Sequence, residues 1–399
     1  MYRFNDSVEE IVLGDKKFIA NFSSGALVPL DEKKEKILGE GYLHKSFKKE
    51  DFAENTDFWE ELDYASCFER VEQPLASAYL HITNICNLNC IGCYSFDRTR
   101  NCKDTLTFEN IKHILDELQR NGVENLIISG GEPTIRHDLV DIVAYAKSIG
   151  MERIQVITNG TRYDEEKLKE LKKYIDALAV SIDGYSYDHP RFIRDEGIFS
   201  KVITFVEGAR DLGISVSILP TLHHYNIEHI EDYIKLSQEL KVSISFSLLT
   251  CSEELEGYIP TEENLDYLAS YLYRFMKSGA VPLQDYTSLE AKKTCGAGEN
   301  IISVTAEGDV YPCHMMHDTD KKMGNLLVEP LENIMKNARK IPSVDQIHKC
   351  SECKVKNVCG GGCKARALLM DGAWNNPDPY CEMNLKYYSQ FVEEYIKYA

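Results

Sequence analysis

Nearly continuous apolar runs alternate with amphipathic helical segments between about residues 78 and 249. Aliphatic and β-branched runs with little polar alternation are typical of strands that are buried on both faces. The first helical segment has Thr107 as its predicted N-cap and ends at Gly122, and a later one ends at Gly213. The predicted strands are Tyr79–Thr83, Leu126–Ser129, Ile154–Thr158, Ala177–Ile182, Ile214–Leu219 and Val242–Leu248.

Six strand–helix units in succession predict an α/β fold for residues 76–250, with right-handed crossovers and a parallel sheet. The sheet is either doubly wound or curled into all or part of a barrel. In a barrel, the reactive groups lie at the carboxyl ends of the strands. Three cysteines follow the first predicted strand, and Gly130-Gly131-Glu132-Pro133 follows the second. Both groups should therefore lie on the same rim.

The flanking segments have different patterns. Residues 1–75 combine short β-like runs with acidic, helix-prone stretches, which suggests a small α+β unit. Residues 251–294 contain a helical pattern around Leu268 and are interpreted as a bridge. Residues 295–399 are rich in cysteine and end in a predicted helix near Leu385–Tyr398. The β-like runs of the first segment are Glu10–Leu13, Lys17–Asn21 and Ala26–Leu30.

Composition and charge exclude several classes of protein. The 399-residue chain has 45 Lys and Arg against 64 Asp and Glu, which gives a net charge of -19. Binding to the phosphate backbone of a nucleic acid depends on an excess of positive charge, which this chain lacks. No apolar run approaches the roughly 18 residues of a membrane helix, and the first residues lack the layout of a signal peptide. We therefore expect a cytoplasmic protein without a nucleic-acid or membrane partner.

Thirteen cysteines in a reducing compartment are better explained as metal ligands or catalytic groups than as disulfides. Cys67, Cys102 and Cys251 stand alone and are interpreted as small buried residues. Cys86-x3-Cys90-x2-Cys93 supplies three thiolates on one loop, enough for three corners of a cubane iron–sulfur cluster. A structural zinc site would need a fourth protein ligand and a redox dithiol only two cysteines, so the spacing favours a cluster with one open iron.

These cysteines, the aromatic Tyr94 after the third of them, and Gly130-Gly131-Glu132-Pro133 together resemble the radical S-adenosylmethionine (SAM) superfamily. The resemblance implies a partial (β/α)6 barrel in which the open iron binds SAM. Reductive cleavage of SAM then gives a 5′-deoxyadenosyl radical that takes hydrogen from the substrate. It also implies that the glycine motif cradles the SAM ammonium, with Glu132 as a charged partner. Considered alone, the motif would by default be interpreted as a plain strand-end turn.

Two further strand ends of the same predicted rim carry polar residues. Asn159 follows the third strand, and Ser181 and Asp183 lie at the end of the fourth. By resemblance, these ends reach SAM, with Ser181 on the ribose and Arg194 on the carboxylate. The spacing leaves Arg191 open as a substitute for Arg194, and Asp183 as a cap of the next turn.

Seven cysteines in residues 295–381 form a second module. Four of them, in Cys350-x2-Cys353-x5-Cys359-x3-Cys363, would suffice for a zinc knuckle, which leaves three without a role. The whole pattern resembles the SPASM extension of radical SAM enzymes, which binds up to two auxiliary 4Fe-4S clusters. The resemblance assigns Cys295, Cys313 and Cys363 to the nearer auxiliary cluster, and Cys350, Cys353, Cys359 and Cys381 to the farther one.

The implied cofactors are therefore SAM and three 4Fe-4S clusters. The nearer auxiliary cluster lacks one protein thiolate, so its vacancy is open to a substrate cysteine, to solvent or to a side chain such as His314 or His317. A thiolate held beside a carbon radical suggests a maturase that forms cysteine thioether crosslinks in a ribosomally synthesised precursor peptide. Residues 1–75 would bind its leader segment or cap the open barrel, and a flavodoxin or ferredoxin would donate electrons.

Other reactions remain open at this point. Formylglycine formation, as in anaerobic sulfatase maturases, and carbon–carbon crosslinking of a peptide need the same cofactors. The absence of an eighth cysteine in the module counts modestly against a sulfatase maturase. A non-catalytic iron–sulfur or zinc scaffold is the alternative from a different class.

Overall fold

The computed structural model describes most of the chain and places the predicted α/β region at its centre. The described residues are 2–39, 41–44, 46–47, 56–63, 67, 75–91, 93, 106–188, 194, 197–250, 253–278, 289–317 and 319–398.

A small amino-terminal unit precedes the central sheet. Strand β1, Tyr2–Arg3, pairs with β5, Ser46–Phe47. Strands β2 (Val8–Leu13), β3 (Lys16–Asn21) and β4 (Ala26–Pro29) form an antiparallel sheet in that order. One face of this sheet packs into the main core of the molecule and the other into a separate core that contains Trp59. The three predicted strands are confirmed as Val8–Leu13, Lys16–Asn21 and Ala26–Pro29, and the helices of the unit are Glu32–Leu38 and Thr56–Glu61.

The central sheet confirms the predicted parallel strands and their order. Neighbouring strands in the chain are neighbours in the sheet, and all of these pairs are parallel. The sixth predicted strand is two short pieces that both pair with β10, Val216–Leu222, and are separated by residues 245–246. The strands are β6 Ser77–His81, β7 Asn125–Ser129, β8 Arg153–Thr158, β9 Ala177–Ile182, β10 Val216–Leu222, β11 Ser243–Ile244 and β12 Ser247–Leu248.

Helices between these strands pack against the sheet and against one another. Thr107 is the N-cap of the first helix, as predicted, and forms a capping box with Asn110. Gly122 and Gly213 follow their helices with φ of 89° and 77°, the left-handed region that favours glycine. The helices are Phe108–Arg120, Leu139–Ser148, Glu165–Leu171, Phe199–Asp211 and Ile230–Leu240.

The cysteine-rich region shares the central sheet, which the sequence analysis did not predict. Strand β13, Ile301–Val304, pairs in parallel with β6 on the edge opposite β7. Strands β14, Asp309–Tyr311, and β15, Gly324–Asn325, continue the sheet in antiparallel order. The carboxyl end of β13 therefore lies on the same rim as that of β6.

The remaining helices surround the cysteine module. Helix Glu262–Ser278 packs along the last helix, where the Tyr273 hydroxyl donates to Glu394 at 3.1 Å. The last helix begins at Cys381, four residues before its predicted start, and Tyr388, Phe391 and Val392 are buried as predicted. Within the described ranges, no helix is both long and apolar enough to cross a membrane. The other helices are Leu331–Asn337, His348–Ser351, Lys356–Cys359 and Lys364–Asp371.

Candidate functional site

The glycine motif after β7 lies directly against the loop that carries the first cysteine group. The Gly131 N–H donates to the carbonyl of Thr83 at 2.7 Å. A Cβ atom on Gly131 would lie 2.3 Å from the oxygen of Ile85, and one on Gly130, where φ is 138°, would lie 2.4 Å from the oxygen of Thr83. Both distances are far inside van der Waals contact. The two motifs meet on one rim because neither glycine has a side chain.

The Glu132 carboxylate is buried, with 1% of the residue exposed, and joins the ends of β7 and β8. One oxygen accepts hydrogen bonds from the N–H and hydroxyl of Thr134, at 3.0 and 2.6 Å, and from the Thr158 hydroxyl at 2.7 Å. The other accepts from the Asn159 N–H at 2.7 Å. Pro133 begins a short 3-10 helix, Pro133–Ile135. Glu132 thus fixes the end of β8 against the glycine motif, and its contact with SAM stays a prediction.

Two other side chains reach the first cysteine group, one directly after β8 and one in the segment between β9 and the next helix. The Asn159 amide nitrogen lies 3.9 Å from the Cys86 sulfur, and the Arg194 guanidinium lies 3.8 Å from the Cys90 sulfur. The Asp183 carboxylate accepts the Arg194 N–H at 3.1 Å. N–H groups that face cluster sulfurs are one way in which a protein tunes an iron–sulfur cluster.

The other residues predicted to bind SAM or its cluster are Ser181, Cys93, Tyr94 and, as a substitute for Arg194, Arg191. Ser181 is half-buried in β9, one residue before its end. Cys93 is half-buried on the cysteine loop. Tyr94 and Arg191 lie outside the described residues.

Four cysteines of the second module line one cavity of about 390 Å³, namely Cys350, Cys353, Cys359 and Cys381. Burial raises the pKa of the Cys359 thiol to about 11, and the N–H groups of Gly361 and Gly362 oppose this rise. A single zinc ion holds its sulfur ligands at about 2.3 Å, so a cavity of this size suits a larger metal group. Among the described residues, no three His, Cys, Asp or Glu side chains lie close enough together to hold a single metal ion.

Cys295, Cys313 and Cys363 form a second group. Burial raises the pKa of the Cys313 thiol, and the neighbouring thiols of Cys363 and Cys295 raise it further. The Cys363 sulfur caps helix Lys364–Asp371 by accepting the Arg366 N–H at 3.4 Å. Cys363 is not among the residues that line the 390 Å³ cavity, where Cys381 completes the set. We therefore propose two cluster sites with the ligand sets that the resemblance implies, rather than one knuckle.

A buried ion pair joins the two groups. Asp378 is 3% exposed and accepts two hydrogen bonds from the Arg366 guanidinium, at 2.7 and 2.9 Å. The same carboxylate accepts the Cys363 N–H at 2.7 Å and the Tyr380 N–H at 2.9 Å. Asp378 also lines the 390 Å³ cavity. One carboxylate thus positions the backbone of both proposed sites.

Replacement of Asp378 by Asn is expected to destabilise the cysteine module and to release iron from both auxiliary sites. The change leaves the Arg366 guanidinium buried without its charge partner, which costs about 3 to 5 kcal/mol. Thermal unfolding and iron analysis of anaerobically purified protein would measure both effects. The matched control is Asp345→Asn, because Asp345 pairs with Lys356 nearer the surface, at side-chain exposures of 45% and 27%. Full iron content in D378N would contradict the assigned role.

His314 and His317, the alternative ligands for the nearer cluster, face the central sheet. The His314 ring lies 4.1 Å from that of Tyr79, and burial lowers the pKa of His314 to about 3. The Nε2 atom of His317 lies 2.8 Å from the Ser303 hydroxyl. The Nδ1 atom of His314 is 3.8 Å from the Cys313 sulfur, a contact between neighbouring residues.

Several residues of the site were not found by the sequence analysis. Asn84, on the first cysteine loop, donates a hydrogen bond to Glu307, in the turn after β13. Arg136 pairs with Asp138 at 2.7 Å and donates to the carbonyl of Ile82 at 2.8 Å. Such contacts join distant segments or vary in spacing, so they have no local sequence signature.

Comparison with known proteins identifies the class. The radical SAM superfamily model matches residues 80–237, and the model of SPASM, an iron–sulfur cluster-binding domain, matches residues 295–354. The chain is 32% identical to Fe-coproporphyrin III synthase of Methanosarcina barkeri over 344 residues, which cover 75% of this chain and 86% of that protein. It is 27% identical over 334 residues to mycofactocin maturase MftC of Mycobacterium tuberculosis, covering 79% and 84%.

Solved structures share the fold. SuiB of Streptococcus suis bound to S-adenosylmethionine superposes with a TM-score of 0.62 at 16% identity, covering 95% of this chain and all of that one. The protein anSMEcpe with bound AdoMet gives a TM-score of 0.65 at 18% identity, covering 81% and 98%.

The chain belongs to the radical SAM superfamily and carries a SPASM domain. It is a radical SAM enzyme, and its cofactors are SAM and 4Fe-4S clusters, as the sequence analysis predicted. The superfamily match begins in β6 and ends in helix Ile230–Leu240, so it lies within the predicted range 76–250.

Proposed function

We propose that the enzyme is a peptide maturase that forms cysteine thioether crosslinks in a ribosomally synthesised precursor peptide. The observation that carries the proposal is the group of Cys295, Cys313 and Cys363, which supplies three protein thiols to a site with His314 and His317 turned toward the sheet. A substrate cysteine would complete this group. When bound, the SAM cluster supplies the 5′-deoxyadenosyl radical that takes a hydrogen atom from the peptide.

The chain's own residues would act by holding the reactants. We assign Cys86, Cys90 and Cys93 to the SAM cluster, and Gly130, Gly131 and Pro133 to the cradle of the SAM ammonium. Asn159 and Arg194 place N–H donors beside the sulfurs of this group. The predicted roles of Ser181 and Arg194 on the SAM ribose and carboxylate fit their positions on or near the rim. When an enzyme holds two reactants in alignment, the activation free energy is lower by about 7 to 11 kcal/mol than for the same groups meeting in solution.

The amino-terminal unit supports a peptide substrate through its position. The Gly25 carbonyl accepts the Ala291 N–H at 2.8 Å, and Glu9 pairs with Lys293. Residues 291–293 lead directly to Cys295, so a leader segment bound at this unit would start close to the nearer auxiliary site. Strand β2 lies at an edge of its sheet, where an extended peptide can add as a further strand. We propose residues 1–75 as the leader-binding domain.

The relatives support a maturase and also provide a second candidate. MftC is named as a maturase, and one SuiB structure contains the precursor peptide SuiA. Tetrapyrrole modification is favoured by the 32% identity to Fe-coproporphyrin III synthase. That match leaves a quarter of this chain uncovered, whereas the SuiB fold covers 95% of it. We propose a flavodoxin or ferredoxin as the electron donor and the reducing cytoplasm as the location.

The reaction can be tested by searching the reading frames beside the gene for a short cysteine-containing peptide and by using such a peptide as the substrate. After anaerobic incubation with SAM and dithionite, we expect the peptide to lose two hydrogen atoms and its alkylatable thiol, as measured by mass spectrometry with iodoacetamide. A cysteine-to-serine peptide is the control and should not be crosslinked.

Each other outcome identifies a different reaction. Loss of the cysteine sulfur would indicate formylglycine formation, and loss of two hydrogens with a free thiol would indicate a carbon–carbon crosslink. An unchanged peptide together with formation of Fe-coproporphyrin III from a tetrapyrrole precursor would replace the peptide proposal by the tetrapyrrole candidate.

A further inference from the structure

Lys364 is a fully buried cation beside the two proposed auxiliary sites. It follows Cys363 and is the first residue of helix Lys364–Asp371, and 0% of its surface is exposed. Its ammonium donates a hydrogen bond to the Gly361 carbonyl at 2.9 Å. The contact is close enough that a Cβ atom on Gly361 would lie 2.8 Å from the lysine nitrogen.

This position is costly for a cation. A buried ammonium loses its hydration and requires an anionic partner. The amino-terminal end of a helix is also positive, which repels a cation in the first turn. Within the described part of the chain, no carboxylate lies within ion-pair distance of Lys364, and the nearby Asp378 is paired with Arg366. A single carbonyl contact does not offset the charge.

The anions that can compensate Lys364 are the two groups of cysteine sulfurs. Gly361, whose carbonyl accepts the Lys364 ammonium, lines the 390 Å³ cavity of the farther group, and Lys364 directly follows Cys363 of the nearer group. A 4Fe-4S cluster held by thiolates carries net negative charge, which grows by one unit on reduction. A fixed neighbouring cation therefore stabilises the reduced form more than the oxidised form.

We propose that Lys364 is the shared positive charge of the two auxiliary clusters and raises the reduction potential of at least one of them. It acts through the clusters and not on the substrate, so it is a positioning residue. Its effect is to make an auxiliary cluster a better acceptor for an electron released within the enzyme. The inference rests on the proposed cluster sites and is independent of which substrate is modified.

The test is a potentiometric titration of anaerobically reconstituted full-length protein, followed by electron paramagnetic resonance. Three variants separate charge from hydrogen bonding: K364M removes both, K364Q keeps a donor toward Gly361, and K364R keeps the charge. In K364M and K364Q, we expect at least one auxiliary potential to fall by the equivalent of a tenfold change in the redox equilibrium, about 59 mV for one electron. The auxiliary potentials of K364R should stay near those of the wild type. SAM cleavage with dithionite as the reductant should be unchanged in all three variants.

Iron analysis decides the remaining outcomes. If the neutral variants lose auxiliary iron while K364R retains it, cluster binding depends on the charge and the inference stands. If K364Q has wild-type potentials with full iron, or if K364R shifts or loses iron as much as K364M does, the charge has no such role and the inference is overturned. Wild-type protein without auxiliary iron would instead refute the cluster sites themselves.

Discussion

Simultaneous replacement of Cys86, Cys90 and Cys93 by alanine is expected to abolish SAM cleavage. The three thiolates are the proposed ligands of the SAM cluster, and no other described thiol is placed on that loop. Without ligands the cluster cannot form, and no iron remains to bind SAM. Iron content should fall from about twelve to about eight atoms per chain, because one of three cubanes is lost. The measurements are 5′-deoxyadenosine release on reduction and iron and sulfide analysis of anaerobic protein.

Cys67 provides the matched control for this experiment. It is buried in the amino-terminal unit, where its thiol lies 3.3 Å from the carbonyl of Leu62 and belongs to none of the three cysteine groups. Cys67→Ala should keep about twelve iron atoms and full SAM cleavage. If the triple variant still releases 5′-deoxyadenosine, the assignment of the first cluster is wrong. If it also loses the auxiliary iron, the three sites do not assemble independently.

The sequence was sufficient for the elements whose signals are local. Buried parallel strands have continuous apolar runs, and Thr107 and Gly122 mark helix ends through their own backbone preferences. The meeting of the cysteine loop with the glycine motif also followed, because successive parallel strands end on one rim. These predictions needed only the order of elements along the chain.

The remaining features depend on contacts between distant segments. Strand β13 is only four residues long and lies in a cysteine-rich region, so its pairing with β6 has no periodic signal. Glu132 was predicted as a ligand for SAM because of its place in a motif, whereas its hydrogen bonds to Thr158 and Asn159 depend on how β8 ends. The burial of Lys364 contradicts the usual exposure of lysine, and only the folded structure reveals it.

Replacement of Gly131 by alanine is expected to lower SAM cleavage by about a hundredfold. The new Cβ would lie 2.3 Å from the oxygen and 2.6 Å from the carbonyl carbon of Ile85. Because both are backbone atoms next to Cys86, they cannot rotate away as a side chain would. Restoring van der Waals contact requires a shift of roughly 1 Å in the cysteine loop, and a displacement of this size costs about 10²-fold when it misaligns reacting groups.

Gly257→Ala is the control that isolates this steric effect. Neither Gly131 nor Gly257 has a positive φ, but a Cβ on Gly257 would meet nothing within 4 Å. Its stability should change by no more than about 0.5 kcal/mol, with SAM cleavage as in wild type. G131A should keep its auxiliary iron, because the strain is confined to the first loop. Wild-type cleavage by G131A would mean that the loop moves freely, and that the backbone contact between the two motifs does not position the cluster.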